Sequence, residues 1–131
     1  KLKIGIVDLI KEAESKIELV SVEELENLME FDNITIVDIR DIRELWAEGK
    51  IPGSIHAPRG MIEFWVDPES PYHRNIFSNG NKFIFYCKSG WRSALTAKTL
   101  QDMGFGPLAH LNGGFDDWKN KGKKTEQVVK K

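Results

Sequence analysis

The stretch Phe83-Ile84-Phe85-Tyr86-Cys87-Lys88-Ser89-Gly90-Trp91-Arg92-Ser93-Ala94-Leu95-Thr96-Ala97-Lys98-Thr99-Leu100 reads as strand, loop and helix in immediate succession. Phe83 to Tyr86 is an apolar and aromatic run of strand length, as in a strand buried on both faces. From Arg92 to Met103 a helix is expected, with Ala94, Leu95, Ala97, Leu100 and Met103 available for packing and Gly104 as its stop. Cys87, the only cysteine in the chain, falls in the loop between them. A strand-to-helix turn gathers free backbone N–H groups and the positive end of a helix dipole, and both favour an anion. A thiolate is such an anion.

The pattern repeats on either side. Ile34-Thr35-Ile36-Val37-Asp38-Ile39 is apolar and β-branched, as a central parallel strand should be. Asp38 and Arg40 stand at its C-terminal end, where α/β proteins place their sites. They are expected to hold neighbouring loops by hydrogen bonds. A short helix follows from Asp41 to Glu48, capped by Asp41 and stopped by Gly49. Ser21, with Glu24 three residues on, forms a capping box for a helix whose inner face is Leu25, Leu28 and Met29. Ile55 to Ala57 and Leu108 to Leu111 are short strands. Asn112-Gly113-Gly114 is a tight turn, and Phe115-Asp116-Asp117-Trp118 opens a last helix with acids in its first turn. Alternating strands and helices predict an α/β fold, with a largely parallel central sheet and helices on both faces.

At 131 residues and 40% hydrophobic, the chain makes one domain with a real core. That domain is expected over residues 1–122, with 1–20 as an N-terminal helical extension whose inner face is Ile6, Leu9, Ile10 and Ala13. Residues 123–131 are expected as a lysine-rich, solvated tail. Arg59 to Gly80 is the least regular part, a surface excursion that can bring Arg59, Phe64 and Trp65 to a pocket mouth. A net charge of −1 points to neither nucleic acid nor an anionic membrane surface. One cysteine excludes an internal disulfide and a multi-cysteine zinc site. His56, His73 and His110 lack metal-ligand spacing, so neither metal nor cofactor is expected. There is no apolar run of membrane-span length and no signal-peptide core, and a cytoplasmic location is the expectation.

Helix N-termini and neighbouring cations favour a thiolate. Cys87 has Lys88 and Arg92 beside it and a helix just beyond. Gly90 can take positive φ and turn the loop amides inward, Arg92 offers a planar fork to an anion, and Ser89 and Ser93 offer hydroxyls. Ser93 is also a candidate helix cap. Trp91 is expected to face outward, toward a substrate or partner. The implied chemistry is nucleophilic attack by sulfur with a covalent intermediate.

Four pieces in order, from about Ser21 to Gly122, resemble the rhodanese (sulfurtransferase) domain family. They are Val37-Asp38-Ile39-Arg40 with Glu44; Gly49-Lys50-Ile51-Pro52-Gly53-Ser54-Ile55-His56; the loop Cys87-Lys88-Ser89-Gly90-Trp91-Arg92-Ser93; and Leu111-Asn112-Gly113-Gly114-Phe115-Asp116-Asp117-Trp118. Lys50 stands where the family commonly has His. The resemblance implies a catalytic persulfide on Cys87. It also implies substrate contacts from Lys88, Ser89, Gly90, Trp91, Arg92, Ser93 and Arg59, and support from Asp38 and Arg40. The expected partners are a small sulfur-containing anion such as thiosulfate and an acceptor, which is cyanide, a thiol or an acceptor protein. Four residues separate Cys87 from Arg92. Tyrosine-phosphatase loops, including those of cell-cycle phosphatases with this fold, are one residue longer and so wide enough for phosphate. The shorter loop favours sulfur transfer over phosphatase or arsenate-reductase chemistry. A non-catalytic binding or regulatory module is the main alternative. A redox sensor ranks last, because there is no second, resolving thiol.

Overall fold

A computed structural model describes residues 1–131. Five parallel strands form one sheet in the order β1-β5-β4-β2-β3, comprising Glu18–Val20 (β1), Ile34–Asp38 (β2), Ile55–His56 (β3), Lys82–Tyr86 (β4) and Leu108–Leu111 (β5). The helices are Ile6–Lys16 (α1), Val22–Leu28 (α2), Ile42–Glu48 (α3), Ile62–Val66 (α4), Trp91–Asp102 (α5) and Gly114–Asn120 (α6). The fold is the expected α/β arrangement. No helix is long and apolar enough to cross a membrane.

The period-two alternation of β4 explains why its whole run is apolar. Phe83 and Phe85 face a core with Ile10 and Ala13 of α1, Ile62 and Val66 of α4, and Ala94, Ala97 and Leu100 of α5. Ile84 and Tyr86 face a second core with Val22 and Leu25 of α2 and Phe115 and Trp118 of α6. The chain steps outward from β2 to β3, then returns to the far side of β2 for β4 and β5. The order in which strands are added therefore reverses between β2 and β4, and ligands of open α/β sheets bind at the carboxyl end of such a switch point. Cys87 follows β4 there, and Ile39 and Arg40 follow β2.

Three expectations are corrected. Residues 1–20 are not wholly helical, since Glu18–Val20 forms the edge strand paired with β5. Three residues carry too little pattern to announce a strand, and only the distant partner defines this one. Within α1, Ile10 and Ala13 are buried, but Ile6 and Leu9, on the same face, are exposed. The C-terminal residues are not a free tail. The buried Trp118 needs an acceptor for its indole N–H and finds the Lys124 carbonyl at 2.7 Å. Lys50 and Glu126 exchange two backbone hydrogen bonds of 2.9 and 2.8 Å, and the Lys130 ammonium lies 5.1 Å from the Trp46 ring centre. The 59–80 excursion carries α4 and buries Ile62, Val66 and Phe77 in the core, while Phe64, Tyr72 and Ile76 stay exposed.

Candidate active-site loop

The loop is built around Gly90. Its φ of 111° is a left-handed conformation open to glycine, and it makes Gly90 the N-cap of α5. The turn aims two backbone donors at one atom: the Gly90 and Ser93 N–H groups lie 3.2 and 3.3 Å from Cys87 Sγ. The Ser93 hydroxyl lies 3.5 Å from the same sulfur. The N–H groups of Lys88, Ser89, Trp91 and Arg92 have no acceptor within the chain. Consecutive donors of this kind make a concave anion cradle. Ser93 sits inside the first turn of α5, so it does not cap the helix as expected. Ser89 is exposed and its hydroxyl makes no hydrogen bond, because the turn brings positions 90 and 93 to the sulfur and leaves 89 on the rim. Trp91 is 51% exposed, as expected of a rim residue.

The turn before α6 braces the loop from behind. Gly114 has φ 63°, and a Cβ there would stand 2.6 Å from the Cys87 carbonyl oxygen and 2.5 Å from that of Lys88. These same carbonyls accept the Phe115 and Asp116 N–H groups at 2.8 and 2.9 Å. The Gly-Gly turn thus exists to let two backbones touch, which orients the loop carbonyls away from the sulfur.

The flanking cations are not free. Lys88 pairs with Asp116 at 3.2 Å and Glu48 at 3.6 Å, and the hydrogen bond to Asp116 raises its pKa. Arg92 donates from Nη1 and Nη2 to the two oxygens of Glu44, and this pair holds the Glu44 carboxyl below its ordinary value. Both nitrogens of the Arg92 fork thus reach toward α3. The donors that reach the sulfur are the two backbone N–H groups, and the Ser93 hydroxyl oxygen accepts from the thiol.

Asp38 and Arg40 are fully buried and joined by hydrogen bonds as short as 2.7 Å. Arg40 also donates to the Gly49 carbonyl, and its guanidinium lies 4.3 Å from the Phe115 ring centre. The pair ties the ends of β2, α3 and α6 together beneath the loop, and neither residue hydrogen-bonds to Cys87. Arg59 is exposed, with its N–H donating to the Ile39 carbonyl at 3.2 Å, which places it on the same sheet edge.

Cys87 is only 1% exposed, so its sulfur forms the floor of the cradle. A hollow of about 380 Å³ lined by Asp41, Arg43, Glu44, Ala47 and Glu48 adjoins the loop through the partners of Arg92 and Lys88. A larger cavity of about 430 Å³, bordered by Ile34, Asn79 and Asn81, lies at the opposite, amino-terminal edge of the sheet and takes no part. One polar side chain was not expected at the loop. His110 is fully buried beneath it, with Nδ1 3.0 Å from Ser93 Oγ. The available signal was a polar residue inside the apolar strand Leu108-Ala109-His110-Leu111.

A single cysteine held by backbone donors at the switch point of a parallel sheet defines a class of α/β thiol domain. Residues 21–121 match the rhodanese-like domain, and the chain belongs to that family. It is 31% identical over 104 residues to a mouse protein named thiosulfate sulfurtransferase/rhodanese-like domain-containing protein 3, covering 76% of this chain and 66% of that one. The match therefore spans just under two thirds of the mouse protein. It is 30% identical over 97 residues to a protein of Allochromatium vinosum named sulfurtransferase, covering 74% of this chain and 82% of that one. A solved structure from Rhodopseudomonas palustris superposes with a TM-score of 0.93 at 48% identity, covering 96% and 97% of the two chains. It is described as a protein of unknown function and possible tyrosine phosphatase.

Proposed function

We propose that this protein is a sulfurtransferase that carries sulfane sulfur as a persulfide on Cys87. The observation that carries the reading is the pair of backbone N–H groups at 3.2 and 3.3 Å from Sγ, in a loop with unpaired N–H groups to spare. Cys87 attacks the sulfane sulfur of a donor such as thiosulfate. The new S–S bond forms as the bond to the sulfonate sulfur breaks, and sulfite leaves with the electron pair. The added sulfur stands about 2 Å beyond Sγ. There the negative charge meets the remaining donors of the loop, which are fixed before the reaction. A thiophile, which is cyanide or a thiol, then takes the terminal sulfur and restores the thiolate. Lys88, Trp91, Arg92 and Arg59 form the rim that meets donor and acceptor. The sulfurtransferase names of the relatives support the chemistry.

The description of the Rhodopseudomonas palustris protein keeps a phosphatase reading in play. Loop length argues against it, since four residues between Cys87 and Arg92 leave a cradle narrower than phosphatase loops have. One experiment separates the readings. The purified protein is given thiosulfate and cyanide, or an aryl phosphate, and its mass is read after thiosulfate alone. Thiocyanate formation, a gain of one sulfur atom in mass, and loss of both in Cys87→Ala are expected. Aryl phosphate hydrolysis without thiocyanate would reverse the assignment.

A further inference from the structure

The outer edge of β2 is only half used. On one side β4 pairs with all of Ile34–Asp38, but on the other β3 pairs with Val37 and Asp38 alone. The backbone groups of successive strand residues point to opposite sides. The Asn33 carbonyl accepts from the Lys82 N–H, and the Ile39 N–H donates to the Tyr86 carbonyl, so the odd-numbered residues face β4. Ile34 and Ile36 therefore face away from it. The register with β3 engages the Ile36 carbonyl and leaves the Ile36 N–H and both backbone groups of Ile34 without a strand partner. The Asn81 side-chain amide stands 3.5 Å from the Ile34 carbonyl, beyond the ordinary hydrogen-bond range.

These groups open into the 430 Å³ cavity at the amino-terminal edge of the sheet. Natural edges are blunted by a charge, a proline or a covering element. Ile34-Thr35-Ile36 carries neither charge nor proline. The cavity has an apolar wall on each face of the sheet. Met29 packs on the face of Ile34 and Ile36, with the exposed Phe31 beside it. The exposed Ile76 stands on the other face, next to Phe77 and Ile55. Asp32 is the only charged residue in the lining. Strand β3 overhangs the carboxyl half of the edge, and Phe31 and Ile76 wall the amino half, so the edge is recessed. A second copy of the chain, whose β2 is recessed in the same way, does not reach it. A single extended segment does.

We propose that this recess binds an extended segment of a partner protein, which adds to the edge of β2 in line with β3. The segment's backbone accepts from the Ile36 N–H and pairs with both groups of Ile34, at the two-residue repeat that a strand matches. Its side chains point alternately to the two apolar walls, so apolar residues are favoured at successive positions, and a lysine or arginine is favoured beside Asp32. The recess lies at the start of β2, whereas Cys87 follows the far end of β4. A docked partner therefore leaves the thiol open to donor and acceptor.

The proposal does not depend on sulfur transfer, and its test needs no sulfur donor. In hydrogen exchange of the free protein, the Ile34 and Ile36 amides should exchange far faster than those of Thr35 and Val37, which pair with β4. Uniform protection along β2 would overturn the proposal. The binding probe is a pool of capped octapeptides built from valine, isoleucine and tyrosine with one lysine. The best binder should shift the Ile34 and Ile36 amide resonances and slow their exchange. Methylating one alternate set of its amides should abolish binding, and methylating the other set should not. Equal loss from both sets would overturn strand addition and leave only an apolar groove. Ile76→Lys, at an exposed position, should weaken binding by about tenfold. Asp32→Asn should erase the preference for lysine over glutamate in the peptide. If no member of the pool moves these amides, or if the chain dimerises through this edge instead, the proposal fails. Thiocyanate formation should be unchanged in Ile76→Lys, so failure of the docking site and failure of the sulfurtransferase reading are read separately.

Discussion

Arg92 and Glu44 face one another through two hydrogen bonds of 2.9 and 3.0 Å, one from each terminal nitrogen of the guanidinium to each carboxylate oxygen. The pair clamps the first turn of α5 to α3, so the loop is held from outside as well as by Gly114 from behind. Both side chains are about a third exposed, which limits the pair to under about 1 kcal/mol of stability. Its effect on the loop should be larger than its effect on the fold. Glu44→Gln keeps the shape and loses the charge. It is expected to leave the denaturation midpoint nearly unchanged and to lower thiocyanate formation by about tenfold, close to the value of one charge-assisted hydrogen bond. Equal losses of activity and stability would show that the clamp serves the fold alone.

Gly114 and Gly53 offer a matched comparison. Both have positive φ, at 63° and 80°, so alanine costs about 1–2 kcal/mol of backbone strain at either. A Cβ at Gly53 meets nothing within 4 Å, whereas one at Gly114 meets the Lys88 carbonyl oxygen at 2.5 Å. Gly114→Ala should therefore destabilise by clearly more than Gly53→Ala in urea denaturation, and should also lose persulfide formation as the loop carbonyls are pushed toward the sulfur. Gly53→Ala should keep full activity.

Local pattern carried most of the fold. The runs Ile34–Ile39 and Phe83–Tyr86, the capping box at Ser21, the helix cap at Asp41, and the Gly-Gly turn each announce themselves within a few residues. All of these elements appear in the structure. The sulfur cradle was legible for the same reason: Gly90 and Ser93 lie within six residues of Cys87. What escaped depends on residues far apart in sequence. Strand β1 is defined by Ala109 to Leu111, Glu126 by Lys50, and the ring of His110 by Glu14 and Ser93. Lys88 and Arg92 were visible as cations near the thiol, but their carboxylate partners Asp116, Glu48 and Glu44 become neighbours only through folding.

The Asp38–Arg40 pair lies beneath the loop with neither side chain exposed. Removing one member of a buried pair strands the other charge, which costs about 3–5 kcal/mol, far more than the pair adds over an apolar substitute. Arg40 already has one nitrogen, Nη1, without a partner. Asp38→Asn should thus lower the denaturation midpoint sharply. A double replacement of Asp38 and Arg40 by apolar residues of similar volume should recover much of the loss. If the single variant matched the wild type in stability, the pair would have no role in joining β2 to α3 and α6.

His110 also sets how stability responds to acid. Burial pushes its pKa from the ordinary 6.5 down to about 4. Between those values the unfolded chain binds a proton at this residue and the folded chain does not, so stability rises with pH across that window. Stability is fully present above about 6.5 and is lost as the pH falls toward 4. The loss from this residue is on the order of 3 kcal/mol. Carboxylates held low in the folded state, such as Glu44, begin to contribute only below their ordinary value of 4.5. The interval above 4.5 therefore isolates the histidine. Urea denaturation at pH values between those limits should show a steep decline for the wild type and a flatter one for His110→Asn, whose amide does not titrate. Parallel slopes for the two proteins would mean that the ring is hydrated in solution and not enclosed between α1 and the loop.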